Sequence, residues 1–186
     1  MENVRGETGR RGSVSSFIVY SYLFFRRDEE ADMSFEKAER YLKEKGLASH
    51  IIVPEASTAT VELAAEALGT ELAAIAKTLS FLVDEKPVLI LTEGTARVDN
   101  HKFKETFHTK AHMIPREQVE ELVGHAPGGV CPFGIRDGVR VYFDESLKKH
   151  AVVFPAAGDD HSGVKLTISE LEEAVPGARW VDVCKD

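Results

Sequence analysis

Two apolar runs separated by a short turn place the strongest constraint on how this chain can fold. The segment KTLSFLVDEKPVLILT (residues 77–92) contains a strand candidate, a turn at DEKP and a second strand candidate, VLILT. This pattern is typical of a β-hairpin with two apolar arms. A hairpin in the middle of the chain argues against a strict alternation of strands and helices. The sequence also contains no GxGxxG or GxxxxGK[ST] motif, so the usual phosphate-binding loops are absent from it.

Helix signals flank the hairpin on both sides. Apolar residues at helical spacing follow Ser34, Thr60 and Asp99, each of which can cap a helix. Further helices are predicted, in chain order, for ELAAIA after Thr70, for REQVEELV up to Gly124, and after Ser169, which forms an S-x-x-E capping box with Glu172.

Short strands are predicted between these helices, and a one-turn helix is predicted at ESLKK. In chain order the strand segments are SHIIVP, AHMIP, VRVYFD, HAVVFP, VKLTI and ARWVDV. The sequence therefore predicts an α+β fold: a single compact domain with a mixed, mostly antiparallel sheet flanked by short helices.

Composition favours one globular domain. The chain has 186 residues, of which 43% are apolar and 29% charged, and its net charge is −8. Two cysteines are too few for a disulfide framework or a four-ligand zinc site, so we expect a cytoplasmic protein in a reducing environment. The negative charge argues against DNA binding and extensive wrapping of nucleic acid, although a local basic patch could dock an RNA backbone.

The first 32 residues differ from the rest of the chain. A short apolar run lies between arginine pairs in RRGSVSSFIVYSYLFFRR, and it is far shorter than the ~20 apolar residues of a spanning helix. We interpret residues 1–32 as an N-terminal extension outside the core, with a short membrane-surface anchor or a true N-terminal element as alternatives. The patterned domain is predicted to span residues 33–186.

A glycine- and proline-rich loop is the first candidate site. In GHAPGGVCPFGI (residues 124–135), Gly128 and Gly129 can turn consecutive backbone N–H groups toward an anion or a carbonyl oxygen. Pro127 and Pro132 restrict φ on either side. Backbone donors held in this way could form an oxyanion hole, and the alternative is a long connecting loop.

Lys77 is the second candidate. It lies where a segment of small residues passes into an apolar strand, which is an unusual position for a solvated charge. The alternative is a lysine whose stem packs on apolar surface while its ammonium group reaches water.

The basic segment 97–116 is the third candidate. Its cations exceed its acids by three, so it could contact an RNA backbone, or it could be a solvated helix face. Its three histidines, His101, His108 and His112, do not share one helical spacing, which argues against a metal site. Cys131 could be a thiol nucleophile, but a cysteine that fills a small space beside the loop is the favoured interpretation.

Four segments in this order resemble the landmarks of the YbaK/ProX family: IAKTLSFLV, LTEGTARVDNHKFKE, GHAPGGVCPFGI and FPAAGDDHSGVKLT. The resemblance covers nearly all of residues 33–186. It implies the α+β fold of the editing domain associated with prolyl-tRNA synthetase, and hydrolysis of mischarged aminoacyl-tRNA without a metal or other cofactor. Matched by position, the implied catalytic residues are Lys77, Gly128 and Gly129, and the implied substrate-binding residues are Thr78, Asp99, Gly124, Pro127, Val130, Cys131, Pro132 and Gly158.

One position departs from the family pattern, because many relatives carry serine where this chain has Cys131. The implied partners are mischarged tRNA and either an aminoacyl-tRNA synthetase or an elongation factor. Two other functions stay open: a non-catalytic tRNA-binding module, which would bind without deacylation, and a thiol enzyme that depends on Cys131.

Overall fold

The structure is a computed structural model that describes residues 33–185. The extension predicted for residues 1–32 lies outside the described residues, and the domain boundary near Met33 stays a prediction.

The predicted hairpin lies at the centre of the fold. Strand β2 (Ile75–Val83) pairs antiparallel with strand β3 (Lys86–Glu93) along almost its whole length. The turn consists of Asp84 and Glu85, both of which have positive φ (51° and 61°). A two-residue turn with this backbone hand follows the twist of the two strands, even though glycine and asparagine are more usual there.

Shorter strands extend the sheet on both sides of the hairpin. They are β4 (His112–Met113), β5 (Arg140–Asp144), β6 (Val152–Pro155), β8 (Leu166–Thr167) and β9 (Arg179–Val181). The strand order in the described residues is β8–β6–β2–β3–β5–β9, and β4 pairs with the C-terminal end of β2. The pairs β2–β6, β3–β5 and β5–β9 are parallel. The pairs β2–β3, β2–β4 and β6–β8 are antiparallel. The predicted α+β class with a mixed sheet is confirmed.

The predicted strand VKLTI is divided between two sheets. Gly163–Val164 forms strand β7, which pairs with strand β1 (Ile51–Ile52) in a separate two-stranded sheet. Leu166–Thr167 is β8 of the main sheet. The change of partner occurs at Lys165. Its N–H donates to the backbone carbonyl oxygen of His50, the residue before β1, at 3.0 Å.

Five helices flank the sheets in the described part of the chain. They are α1 (residues 33–44), α2 (Val61–Leu68), α3 (Asn100–Phe107), α4 (Val119–Val123) and α5 (Ile168–Ala174). The predicted caps Thr60 and Asp99 are confirmed, since their side chains accept hydrogen bonds from the first turns of α2 and α3.

Two other predicted caps are wrong. Ser34 lies inside α1, where it is buried and its hydroxyl accepts a hydrogen bond from Ala126 N–H at 3.3 Å. Ser169 lies inside α5, which is capped instead by Thr167 in a capping box with Glu170. The same S/T-x-x-E pattern occurs twice in this segment, so spacing alone could not choose between them.

The helix predicted for ELAAIA is also wrong. Only Leu72–Ala74 forms a short 3-10 turn, without a side-chain cap, and β2 begins at Ile75. Ile75 and Ala76 pair with Phe154 and Pro155 of β6, and these pairings extend the strand backward into a segment of helix-forming residues.

The core lies on both faces of β3. Val88 and Ile90 pack with Phe81 and Phe103 beneath α3. On the opposite face, Leu89 and Leu91 belong to a larger cluster that α1, α4 and α5 help to cover. All four β3 residues are fully buried, which explains why β3 is continuously apolar instead of alternating.

Candidate functional site

A cavity of about 200 Å³ lies between α2, the first residues of β2, the glycine-rich loop and the end of β6. Most of its wall is apolar and is formed by Val61, Ala64, Leu68, Ile75 and Phe154. Polar groups at its edge come from Thr58, Thr60, Lys77, Thr78 and Ser162. A small apolar cavity with a few polar groups at one side is the usual form of a small-ligand site.

Lys77 projects from β2 at the edge of this cavity. Its ammonium group donates to the carbonyl oxygen of Gly94 at 2.9 Å and to that of Ala96. Partial burial is the main reason that the pKa of Lys77 lies below the usual lysine value, and the nearby charge of Arg97 lowers this pKa further, against opposing effects of Cys184, Glu93 and Glu62. The ammonium group is therefore held in place by the loop that follows β3.

The glycine-rich loop contributes Gly128 and Val130 to the cavity wall. Gly128 has a φ of 107° and is exposed. The expectation that Gly128 and Gly129 present consecutive N–H groups needs correction, because Gly129 N–H donates to Ala126 O at 3.1 Å in a tight turn. The N–H groups of Gly128 and Val130 donate to no group in residues 33–185, so these two are the candidate donors.

Gly129 and Gly158 bring two loops into backbone contact. A Cβ atom at Gly129 would lie 2.2 Å from Gly158 O, and one at Gly158, whose φ is 102°, would lie 2.4 Å from Ser34 O. Only glycine fits at either position. These residues therefore shape the wall of the cavity without lining it.

Thr78 follows Lys77 in β2 and also lines the cavity. Its hydroxyl oxygen is buried and has no hydrogen-bond partner in the described structure. Such a group is destabilising unless it finds a partner.

Cys131 is fully buried, and burial raises the pKa of its thiol to about 12. Its sulfur lies 3.5 Å from His125 Nε2 and 3.6 Å from Phe133 O. His125 Nε2 lies 2.7 Å from the same carbonyl, which can only accept, so Nε2 carries a proton and cannot take one from the thiol. This environment is that of a structural cysteine.

The buried imidazole of His125 leads to a prediction about stability. Burial lowers its pKa from 6.5 to about 4. Between these values the unfolded chain binds more protons, so stability falls as the pH falls. We expect the free energy of unfolding to drop by about 3 kcal/mol between pH 7 and pH 4 because of this residue. Urea titrations at both pH values would measure the drop.

The matched variants for this prediction are His125→Gln and His161→Gln. His125→Gln removes the buried titrating group and should weaken the pH dependence, whereas the exposed His161 serves as the control. Equal pH dependence in the parent and in His125→Gln would contradict the assignment.

Four other predicted substrate-binding residues do not line the cavity. Asp99 caps α3, where it accepts hydrogen bonds from His101 N–H and Lys102 N–H. Gly124, with φ of 100°, ends α4. Pro132 is buried, and Pro127 belongs to the turn closed by Gly129. Like Cys131 and Gly158, these four residues belong to helix ends and loops and do not line the cavity.

The cations of segment 97–116 have different environments. Lys102 forms an ion pair with Asp182 at 3.0 Å, while Arg97, Lys104, Lys110 and Arg116 are exposed.

In residues 33–185, no three His, Cys, Asp or Glu side chains form a group that could hold a metal ion. No helix in this part of the chain is long and apolar enough to cross a membrane.

Most of the cavity wall was not predicted from the sequence. Thr58 binds the loop before β7, donating from its N–H to Asp160 O at 2.6 Å and from its hydroxyl to Ser162 O at 3.3 Å. These contacts join residues more than 100 positions apart. The apolar face of α2 was the one available signal, since its small side chains leave space beside β2.

The fold and the cavity together define the class: a compact α+β domain with a small cavity lined by a lysine and by part of a glycine-rich loop. Residues 55–174 match the family described as the aminoacyl-tRNA editing domain. The chain therefore belongs to that family.

Individual relatives support this assignment. A protein of Bacillus subtilis (strain 168) named Uncharacterized protein YwhH is 47% identical over 133 residues, covering 71% of this chain and 85% of the relative. The proline–tRNA ligase of the same organism is 33% identical over 110 residues, which are 58% of this chain and 18% of the ligase. A crystal structure described as a candidate trans-editing enzyme for prolyl tRNA synthetase superposes with a TM-score of 0.74 at 30% identity, covering 82% of this chain and 98% of the other.

Proposed function

We propose that this protein is a trans-editing deacylase that hydrolyses the ester bond of mischarged aminoacyl-tRNA. The observation that carries the proposal is the small cavity that brings Lys77 together with the free N–H groups of the glycine-rich loop. Membership of the editing-domain family supports it. The site of action would be the cytoplasm, where tRNA is charged.

The cavity suits the aminoacyl group of the substrate. About 200 Å³ with apolar walls accommodates a small side chain and leaves the terminal nucleotide at the mouth. A synthetase distinguishes side chains that differ by one methylene by only ~1–3 kcal/mol, so small amino acids are those that most need removal by a second site. Alanine, cysteine, serine and threonine are the candidates.

The reaction mainly requires that the protein position the ester and stabilise the charge that develops on it. The oxygen of water attacks the ester carbonyl carbon, directly or with help from the neighbouring ribose hydroxyl, and the ribose oxygen leaves with a proton. The products are the free amino acid and tRNA with an intact 3′ end. The N–H groups of Gly128 and Val130 would stabilise the carbonyl oxygen as it becomes negative.

Lys77 would act as a fixed positive charge beside this reaction. A lysine ammonium group has three donors, and two of them are engaged by Gly94 O and Ala96 O. The third donor is available to the aminoacyl group or to the terminal phosphate. Thr78 would contribute its unpaired hydroxyl. The ester is already labile, so the proposal needs neither a metal nor a protein nucleophile.

The direct test is a deacylation panel. tRNAs charged with alanine, cysteine, serine, threonine and proline are incubated with the protein, and the remaining ester is measured over time against a buffer control. Rapid loss of one or two mischarged species would support the proposal and identify the substrate. Stable esters throughout would reject it in favour of a non-catalytic tRNA-binding module.

The thiol alternative gives a separate prediction for Cys131. Its burial and its raised pKa predict that Cys131→Ser keeps deacylation within about twofold of the parent, because no thiolate takes part. Treatment with iodoacetamide before the assay should likewise leave the rate unchanged. A large loss in both experiments would restore the thiol-enzyme hypothesis.

A further inference from the structure

A short antiparallel contact joins the loop after β3 to the C-terminal segment. Val98 and Cys184 form an isolated bridge. It is flanked by hydrogen bonds from Lys185 N–H to Arg97 O and from Asp99 N–H to Val183 O, both 2.8 Å long. In this register Arg97 stands directly opposite Lys185, and residues paired in this way have neighbouring side chains.

The two opposed side chains carry the same charge. Like charges directly across an antiparallel pair are destabilising. Both residues are exposed, and neither forms an ion pair with a described acidic side chain. The carboxylate of Asp99 offsets only part of this repulsion: its pKa is lowered chiefly by its hydrogen bonds to the N–H groups of Lys102 and His101, and to a smaller degree by the charge of Lys185. An anion between Arg97 and Lys185 would relieve the repulsion.

This pair also lies next to the cavity. Lys77, on the cavity wall, donates to the carbonyl of Ala96, the residue before Arg97. The charge of Arg97 is close enough to lower the pKa of Lys77, in addition to the larger effect of burial. Arg97 therefore links the lysine on the cavity wall with the exposed Lys185 that lies opposite it in the backbone register.

We propose that Arg97 and Lys185 form a binding site for the phosphodiester backbone of the RNA 3′ strand whose ester enters the cavity. The inference rests on the proposed function, because the proposed substrate places the 3′ end of an RNA strand at the mouth of the cavity. Of the cations in segment 97–116, the proposed site uses Arg97, and it adds Lys185 from the C-terminal segment. Lys104 and Lys110 lie further along the chain, on and beyond α3.

The test compares two double variants with the same change of charge. Arg97→Gln with Lys185→Gln removes the proposed site, and Lys104→Gln with Lys110→Gln is the matched control. Binding of uncharged tRNA is measured by fluorescence anisotropy over a range of salt concentrations. We expect about tenfold weaker binding for the first variant, with a salt slope reduced by about 1.4 for two lost contacts to a single strand. The control should bind like the parent.

A second measurement separates this site from the catalytic proposal. For the Arg97/Lys185 variant, we expect a raised KM on aminoacyl-tRNA with little change in kcat, and unchanged hydrolysis of an aminoacyl-adenosine, which has no phosphate. Equal losses in both variants, or no binding of tRNA by the parent, would overturn the inference. If the parent binds tRNA but cleaves no ester, the catalytic proposal fails while the binding comparison still decides this one.

Discussion

Replacing Lys77 with alanine is expected to reduce deacylation of the preferred mischarged tRNA by about 10²- to 10³-fold, which is the usual effect of removing one charged or hydrogen-bonding group that stabilises a transition state. The ammonium group is held at the cavity edge by Gly94 O and Ala96 O, and among the described residues that line the cavity Lys77 is the one with a charged side chain. Single-turnover rates on pre-charged tRNA would measure the loss. Lys86→Ala, at the exposed start of β3, is the control for loss of a lysine.

Lys77 also has a structural role that the experiment must separate from catalysis. Its two hydrogen bonds fix the loop after β3, so the alanine variant could lose activity because that loop moves. Lys77→Met keeps the aliphatic stem and removes only the charged end. If Lys77→Met melts like the parent and is still inactive, the charge itself is required. Parental rates in either variant would refute the assigned role.

The second large effect is expected for Gly129→Ala. The added Cβ would lie 2.2 Å from Gly158 O, and the obstructing atom belongs to the backbone, which cannot rotate away. The two loops would have to separate, at a cost of about 3 kcal/mol or more. Because Gly128 and Val130 flank this position, deacylation should fall together with stability. Urea denaturation and the deacylation panel would measure the two effects.

Gly138→Ala is the matched control for this variant. Gly138 lies in the same long connection and has a φ of 88°, but no atom lies within 4 Å of its added Cβ. Its substitution should cost only the ~1–2 kcal/mol of an alanine in the left-handed region and should leave deacylation intact. Equal stability losses in the two variants would mean that contact with Gly158 is not what requires glycine at position 129.

Local signals in the sequence predicted those parts of the structure that depend on neighbouring residues. The hairpin followed from two apolar arms around DEKP, and the caps Thr60 and Asp99 followed from single polar residues before apolar helical repeats. Lys77 was selected because a lysine beside small and apolar residues was unusual, and the structure does bring it to the cavity. The glycine-rich loop was recognised from composition, and its implied residues from a family resemblance.

Predictions failed where distant partners decide between two local possibilities. ELAAIA has good helix formers, but pairing with Phe154 and Pro155 converts its end into a strand. Gly129 was expected to offer a free N–H group, but the contact with Gly158 places it in a turn that uses this group. The pairing of Arg97 with Lys185 joins residues 88 positions apart, and no local pattern indicates it.

The sequence by itself therefore determined the class of fold, the hairpin at its centre and the small set of residues worth testing, because helix caps, turns and apolar periodicity act over only a few positions. Tertiary structure decided which of those residues meet. It placed Gly128 and Val130 on the cavity wall but not Gly129, and it buried Cys131 beside an imidazole nitrogen that already carries a proton. Such choices depend on contacts between loops far apart in the chain, where the fit of one backbone against another decides which N–H groups remain free.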